Sequence, residues 1–180
     1  GVLCIGHDIT DHESRDRVRI STAMWRDRVI AGTDVRDDVF ESVFHIGWEI
    51  SREGREGYPV GTAFLIGDSQ NVLARSKQLI LNPFEGHRSE DRMITNTGLK
   101  ENIKELAQLD GAFVVSDEGT VLSACRYIDA PSGGVSLPLG LGSRHMAAAS
   151  ITKLTNAVAV VVSESSIVRI FDNGEIVSEI

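Results

Sequence analysis

A glycine-rich segment followed by a helix-forming run contains the residues best suited to bind a phosphate group. The segment from Gly140 to His145 reads GLGSRH, and the run MAAAS follows it. Gly142 or Ser143 is a suitable N-cap, which places Arg144 and His145 on the first turn of a helix. The free N–H groups of that turn attract anions, and a guanidinium adds paired hydrogen bonds. The segment predicts a polyphosphate site or, alternatively, an ordinary loop that enters a helix with a solvated arginine.

A carboxylate stands at the beginning of an apolar run further upstream. Asp110 is followed directly by Gly111 and then by AFVV, a pattern typical of a buried strand. A glycine at this position allows another group to approach the backbone closely. Asp-Gly pairs are also common in turns, so the pair by itself leaves a simple turn or capping role open.

Three further motifs complete a pattern along the chain. They read GYPVGT at residues 57–62, NPFEGH at residues 82–87 and VVSE at residues 161–164. In order and approximate spacing, the five motifs resemble those of the diadenylate cyclase (DAC) domain, in particular an archaeal-type, DisA_N-like member. The resemblance covers roughly residues 35–177. It implies an α/β fold with α+β character, in which helices flank a central mixed β-sheet.

Two positions depart from the family pattern, which reads Gly-Thr-Arg-His-Arg. Ser143 stands where the family has threonine, and this change keeps the hydroxyl group. Met146 stands where the family has a second arginine, and this change removes one cation. The loss of that cation leaves open what this position does in the present chain.

The resemblance implies a reaction in which two ATP molecules condense into cyclic di-AMP and release two pyrophosphates. It implies catalytic roles for Asp110, Gly111, Arg144 and His145, with Asp110 also binding a divalent Mn²⁺ or Mg²⁺ ion. The implied ATP-binding residues are Gly111, Ala112, Tyr127, Ile128, Gly142, Ser143, Arg144, His145, Ser163 and Glu164. Two of these have plain structural alternatives, because Tyr127 could pack in the core and Glu164 could cap the turn that follows it.

The symmetry of this reaction implies a homodimer whose protomers meet face to face, each bringing one ATP, with higher oligomers also conceivable. Two other functions stay open. One is a nucleotidyltransferase with a different acceptor, and the other is a catalytically silent sensor that binds ATP or another nucleotide. The methionine at position 146 makes the sensor conceivable.

Length and composition set further bounds. A chain of 180 residues fits one domain, and we predict a DAC domain at 34–180 preceded by an arm or a remnant of an upstream domain at 1–33. The net charge of −8 argues against nonspecific nucleic-acid or membrane binding. Cys4 and Cys125 form no disulfide framework and indicate a reducing, cytoplasmic compartment. No apolar run reaches the length of a membrane span.

Periodicity and turn signals predict the elements that position these residues. A polar stretch with two His and two Asp at 7–12 is interpreted as a solvated loop rather than a metal site. Thr33 or Asp34 is the predicted N-cap of a helix that runs to about Gly54, with an aromatic stripe in the core. A second helix is predicted over 93–109, and 130–138 reads as a loop with a function. Strands are predicted at 2–6, 16–20, 61–66, 79–81, 111–115, 121–127, 157–163, 167–171 and 175–177.

Overall fold

The computed structural model describes Val29 and residues 32–180. The strands predicted at 2–6 and 16–20, the polar stretch at 7–12 and Cys4 lie outside the described residues. The helices are α1 (Asp37–Glu53), α2 (Ser69–Ala74), α3 (Lys100–Leu106) and α4 (Ser143–Leu154). The strands are β1 (Thr62–Ile66), β2 (Ser76–Gln78), β3 (Ala112–Val115), β4 (Val121–Ile128), β5 (Val158–Val162), β6 (Val168–Asp172) and β7 (Glu175–Glu179).

The seven strands form one mixed sheet in the order β2-β4-β3-β1-β5-β6-β7. Only the β1–β3 pair in this sheet is parallel, and the five other pairs are antiparallel. The central strands β1, β3 and β5 are buried along their whole length, which explains why their sequences are continuously apolar. The predicted central mixed sheet flanked by helices is confirmed.

Each face of the sheet is covered by a helix. Helix α1 packs its Phe40 and Phe44 side chains, both fully buried, against the face that also presents Phe64 and Phe113. The rings of Phe64 and Phe113 stack with their centroids 4.8 Å apart across the parallel pair. Helix α4 packs its small alanine side chains against the opposite face. The aromatic stripe predicted to be core is therefore core, and the alanines of α4 let that helix lie close to the sheet.

Several local predictions are confirmed. The β3–β4 hairpin, the buried strand β5 and the closing β6–β7 hairpin all form within a few residues of their predicted bounds. Residues 129–142 form an irregular loop, as the Gly, Ser and Pro content predicts, and its function stays a prediction. Cys125 is a buried free thiol, as expected of a small apolar side chain.

Other local predictions are wrong. The apolar run at 79–81 is an exposed segment rather than a strand, because β4 pairs with residues 76–78 and the chain then leaves the sheet. The helix predicted over 93–109 is limited to α3, since Met93 instead bridges Thr120 and the Asn96 side chain caps a 3₁₀ turn. Helix α1 begins at Asp37 with Arg36 as its N-cap, and the short helix α2 was not predicted.

Candidate active site

The antiparallel pairing of the central strands brings four segments together at one end of the sheet. Thr62 at the beginning of β1 pairs with Val162 at the end of β5, and Ala112 at the beginning of β3 pairs with Arg126 near the end of β4. The residues before β1 and β3 therefore lie beside those after β5 and at the end of β4. This edge gathers Asp110, the motifs at 57–62 and 161–164, and the end of β4, which are far apart in sequence.

Helix α4 adds its first turn to this edge. The helix begins at Ser143 with Gly142 as its N-cap, and the Gly142 carbonyl accepts the Met146 N–H at 3.2 Å. This confirms the predicted N-cap. The helix lies over β1, β5 and β6, and this packing aims Ser143 and Arg144 at the open edge of the sheet.

Two cavities meet at this edge. The first, of about 120 Å³, is mostly apolar. Its lining residues are Ala63, Leu65, Leu79, Asp110, Gly111, Ala112, Arg126, Tyr127, Ile128, Ser143, Arg144, Ala147 and Ala148. The second, of about 330 Å³, is polar, and its lining includes Arg55, Tyr58, Gln108, Asp110, Arg144 and Glu164. Asp110 and Arg144 line both cavities, so a carboxylate and a guanidinium stand where an apolar and a polar compartment join.

Asp110 is held in place by the residue that follows it. One carboxylate oxygen of Asp110 accepts the Gly111 N–H at 2.9 Å. Gly111 has φ +100°, and a Cβ at this position would lie 2.6 Å from the Cys125 carbonyl carbon. The close approach that a glycine permits here is made by the β4 backbone. Only glycine fits where the Gly111 backbone passes so close to the β4 backbone, and this close approach sets where the Asp110 carboxylate lies.

Arg144 lies against the backbone of Gly61. A Cβ built on Gly61 would overlap the Arg144 guanidinium and would lie 3.2 Å from the Glu164 Cγ. The guanidinium thus packs between the entry to β1 and the exit from β5. Gly61 belongs to the motif at 57–62, but neither its residue type nor the family resemblance implied a role for it in the site.

Replacing Gly61 with alanine should displace Arg144 without a backbone penalty, since Gly61 does not have a positive φ. We expect ATP binding to weaken by roughly 3- to 10-fold, the loss expected when one hydrogen bond is misplaced. Titration calorimetry measures this effect. Gly32→Ala is the matched control, because a Cβ there meets nothing within 4 Å. Equal affinities for both variants would show that Arg144 tolerates the displacement.

The structure does not place His145 with the other motif residues. Its side chain is buried and lines neither cavity. Its Nε2 lies 3.2 Å from Arg169 Nη1, and Arg169 Nε donates to Glu179 at 2.8 Å. Burial, then the charges of Arg169 and Arg144, lower the His145 pKa to about 4. A neutral ring that faces β6 does not support the assignment of His145 to the phosphates.

The depressed His145 pKa predicts how stability depends on pH. The unfolded ring titrates near 6.5 and the folded ring near 4, so the unfolded state binds the proton more readily. The stability from a neutral His145 is complete above about pH 6.5 and is lost as the pH falls toward 4. Urea unfolding at pH 7 and pH 5 should show this loss. The loss of unfolding free energy between pH 7 and pH 5 should be smaller in His145→Gln than in wild type. It should be unchanged in the control His87→Gln, because the His87 side chain is exposed.

Of the other residues predicted for the site, four line a cavity and Ser163 does not. Ala112, Tyr127 and Ile128 line the apolar cavity, and Tyr127 is 56% exposed, so its interpretation as a core residue is wrong. Glu164 lines the polar cavity. Ser163 lines neither, because its hydroxyl contacts the Ser165 hydroxyl at 2.8 Å and accepts the Ile167 N–H at 3.2 Å. Ser163, rather than Glu164, stabilises the turn after β5.

Some residues that line the apolar cavity were not predicted, although the sequence contains a pattern that indicates most of them. Ala63 and Leu65 alternate along β1 with residues that face α1, so they share a face with Ala112. Ala147 lies one helical turn after Ser143 on α4. Arg126 was a charged residue inside an apolar strand, a pattern that calls for a specific partner. Leu79 left no signal, because it was expected inside a strand.

Three carboxylates line the polar cavity; two of them belong to motif segments and could contribute to a metal site, and the third is Glu56. Asp110 and Glu164 line the same polar cavity. Within residues 32–180, no three His, Cys, Asp or Glu side chains converge to hold a metal ion on their own. Mg²⁺ and Mn²⁺ prefer oxygen ligands, and Mg²⁺ is commonly bound by one or two carboxylates with substrate phosphates and water. The donor set therefore fits a divalent ion that binds together with a nucleotide.

Among the described residues the longest helix is α1, with 17 residues, whereas a membrane span needs about 20 mostly apolar residues. No helix in this part of the chain is long and apolar enough to cross a bilayer.

Comparison with known proteins agrees with this geometry. Two curated relatives are diadenylate cyclases. The protein from Methanocaldococcus jannaschii is 52% identical over 140 residues, which cover 77% of this chain and 44% of the relative. The protein from Haloferax volcanii is 41% identical over 174 residues, which cover 94% of this chain and 63% of the relative. The chain thus spans about half the length of these relatives.

A solved structure and a family model complete the comparison. A Bacillus cereus crystal structure, described as a hypothetical membrane spanning protein, matches with a TM-score of 0.63 at 16% identity. The match covers 97% of this chain and 78% of that one, and it supports the fold alone. The family model for the DisA bacterial checkpoint controller nucleotide-binding (DAC) domain matches residues 49–176. Because this model covers most of the chain, the chain belongs to the DAC family.

Proposed function

We propose that this chain condenses two ATP molecules into cyclic di-AMP and releases two pyrophosphates. The observation that carries the proposal is the position of Asp110 and Arg144 at the junction of an apolar and a polar cavity. The two relatives named diadenylate cyclase support it. We also propose that the catalytic domain comprises residues 34–180, since α1 contributes much of the core beneath the sheet.

The two cavities suit the two ends of one ATP molecule. The apolar cavity, with the Tyr127 and Ile128 backbone on one side, suits the adenine ring. The polar cavity and the first turn of α4 suit the triphosphate, since Arg144 offers a forked donor and the turn offers free N–H groups. The ribose then lies near Asp110, where the two cavities join.

The proposed chemistry needs a proton acceptor at the ribose. The 3′-oxygen of one ATP attacks the α-phosphorus of the other, so a new P–O bond forms. The bond from the α-phosphorus to its bridging oxygen breaks, and pyrophosphate leaves. The 3′-hydroxyl proton passes to the Asp110 carboxylate, whose orientation Gly111 holds. Arg144 stabilises the charge that develops on the phosphate oxygens.

A divalent ion completes this proposal. Asp110 and Glu164 are the residues that would hold Mn²⁺ or Mg²⁺. When bound, the ion would act as a Lewis acid that polarises the phosphoryl group and neutralises the charge of the triphosphate.

The proposed reaction also needs two protomers. Both cavities open to solvent at the same edge of the sheet, which leaves room for a second ATP opposite the first. A closed two-fold dimer would bring two identical sites together, with each ATP serving as acceptor for the other. We therefore propose a face-to-face homodimer as the active form.

Product analysis after incubation with ATP and MnCl₂ tests the proposal. Cyclic di-AMP supports it. A different adenylylated product would indicate another acceptor, and bound but unchanged ATP would indicate a silent sensor, which Met146 in place of a family arginine makes worth testing. Either of these two results contradicts the proposed reaction.

A tandem-linked dimer tests the two-protomer arrangement. One half is wild type and the other contains Asp110→Asn. The intact half can form the first bond, whereas the second bond depends on the altered half, so a linear dinucleotide that keeps its triphosphate should accumulate. Chromatography separates it from the cyclic product. Cyclic product at half the wild-type rate, with no linear species, would contradict the arrangement.

A further inference from the structure

Strand β4 contains a bulge beside the candidate active site. Ala112 lies opposite Arg126 and Val114 lies opposite Ser123, so β4 has one more residue than β3 between these pairs. Within the bulge, Cys125 has φ +59°, a left-handed conformation that is uncommon for a residue with a side chain. Such a conformation persists only where surrounding contacts hold it.

The side chains of Gln78 and Asn82 supply those contacts. The Gln78 amide nitrogen donates to the Ala124 carbonyl at 2.5 Å, and its amide oxygen accepts the Ser123 hydroxyl at 2.8 Å. The Asn82 amide nitrogen donates to the Leu122 carbonyl at 2.8 Å, and its amide oxygen accepts the Ala124 N–H at 3.3 Å. A bulge removes backbone groups from the ladder, and buried backbone groups need partners. The two amides bond both backbone groups of Ala124, whose carbonyl also accepts the Ser123 hydroxyl at 3.1 Å.

These contacts lie directly behind the apolar cavity. Leu79, which lines the cavity, donates its N–H to the Cys125 carbonyl at 2.9 Å. Arg126, Tyr127 and Ile128 follow the bulge and line the same cavity. Side chains alternate along a strand, so a change in the bulge alters the direction of all three residues.

The Arg126 side chain also holds the end of β4 in place, through contacts on the other side of Cys125 from those of Asn82. Its guanidinium donates to the Ser76 hydroxyl at 2.7 Å and to the carbonyls of Ser76 at 2.9 Å and Leu73 at 3.0 Å. The end of β4 is thus held to the 73–82 segment both before and after Cys125. Neither Gln78 nor Asn82 lines the apolar cavity, so any effect they have on a nucleotide passes through β4 or through Leu79, which is bonded to β4 at Cys125.

We propose that Gln78 and Asn82 are positioning residues that hold the β4 bulge and thereby set the preference of the site for adenine over guanine nucleotides. The inference rests on the proposed function, because it assigns the base to the apolar cavity. Adenine and guanine differ in the donors and acceptors along their edges. A backbone placed to hydrogen-bond one edge rejects the other, and it loses this discrimination when it shifts.

Gln78→Met tests the inference, since it keeps the side-chain length and removes every hydrogen bond of the amide, including the one that its oxygen accepts from the Arg126 guanidinium at 3.3 Å. We expect the KM for ATP to rise by roughly 3- to 10-fold, and the preference for ATP over GTP to fall by a similar factor. The kcat should stay within about twofold of wild type, because the change affects binding rather than the reacting atoms. Gln70→Met is the matched control, because Gln70 is exposed on α2, and its KM and base preference should not change.

Ser123→Ala provides a milder second variant. It removes a hydroxyl that bonds the Gln78 amide oxygen and the Ala124 carbonyl but keeps the Gln78 amide itself, so it should fold even if Gln78→Met does not, and it should shift the KM and the base preference in the same direction. Thermal unfolding shows which variants are folded. Unchanged KM and base preference in the folded variants would overturn the inference, as would a fall in kcat alone.

Calorimetric titration with ATP and with GTP separates this inference from the proposed function. If wild type makes no cyclic di-AMP but binds ATP more tightly than GTP, the proposed reaction fails. The inference then stands if Gln78→Met narrows that difference in affinity. If wild type makes cyclic di-AMP and the variants keep the full ATP preference, the inference alone fails.

Discussion

Turnover of ATP should fall by at least about a hundredfold when Asp110 is replaced with asparagine, the low end of what a lost general base costs. The amide cannot accept the 3′-hydroxyl proton, and it is a much weaker ligand for a divalent ion than a carboxylate. The amide has the shape of the carboxylate, and its oxygen can still accept the Gly111 N–H. The expected loss is therefore in chemistry rather than in folding.

Rates of cyclic di-AMP formation at saturating ATP measure this effect, and thermal unfolding verifies the fold. Asp91→Asn is the matched control, because Asp91 lies in an exposed 3₁₀ turn, where it pairs with Arg88. An exposed ion pair of this kind contributes little to stability. A folded Asp110→Asn enzyme with wild-type turnover would remove Asp110 from the catalytic role.

Affinity for ATP should fall by roughly 10- to 150-fold in Arg144→Ala, which corresponds to about 1.5–3 kcal/mol for lost charge-assisted hydrogen bonds. Arg144 lines both cavities, so its guanidinium reaches the junction where we propose that the triphosphate joins the ribose. Arg144→Lys should recover only part of the affinity, because an ammonium is a point charge and cannot reproduce the fork of the guanidinium.

Titration calorimetry with ATP and with AMP distinguishes a triphosphate contact from a general loss of charge. The loss should be larger for ATP than for AMP if Arg144 binds the β- or γ-phosphate. Arg88→Ala is the control, since Arg88 is exposed and forms only surface pairs. Wild-type ATP affinity in a folded Arg144→Ala variant would exclude Arg144 from the site.

Local sequence patterns were sufficient to predict those features that depend only on residues close together in the chain. The N-cap at Gly142 follows from glycines before a helix-forming run, and the buried strands follow from continuous apolar runs. These features are determined by backbone conformation and hydrophobic burial, both of which act over a few residues.

Tertiary structure decided the roles that depend on partners distant in sequence. His145 follows Arg144 directly, yet the two side chains point in different directions from one helical turn, and only the position of Arg169 on β6 shows that His145 is buried. Ser163 and Glu164 separate in the same way at the end of β5, one into a turn and one into a cavity. Adjacent residues diverge because each element alternates or rotates its side chains, and only the packing of neighbouring elements determines which side faces the site.

Around the apolar cavity, too, tertiary structure decided what the sequence alone did not. The apolar run at 79–81 indicates a strand by composition, but pairing with β4 at residues 76–78 leaves it exposed beside the apolar cavity. Next to this pairing, the β4 bulge at Cys125 is held by the amide side chains of Gln78, the last residue of β2, and of Asn82. Strand register depends on the residues of both paired strands, so no single segment of this sequence determines it.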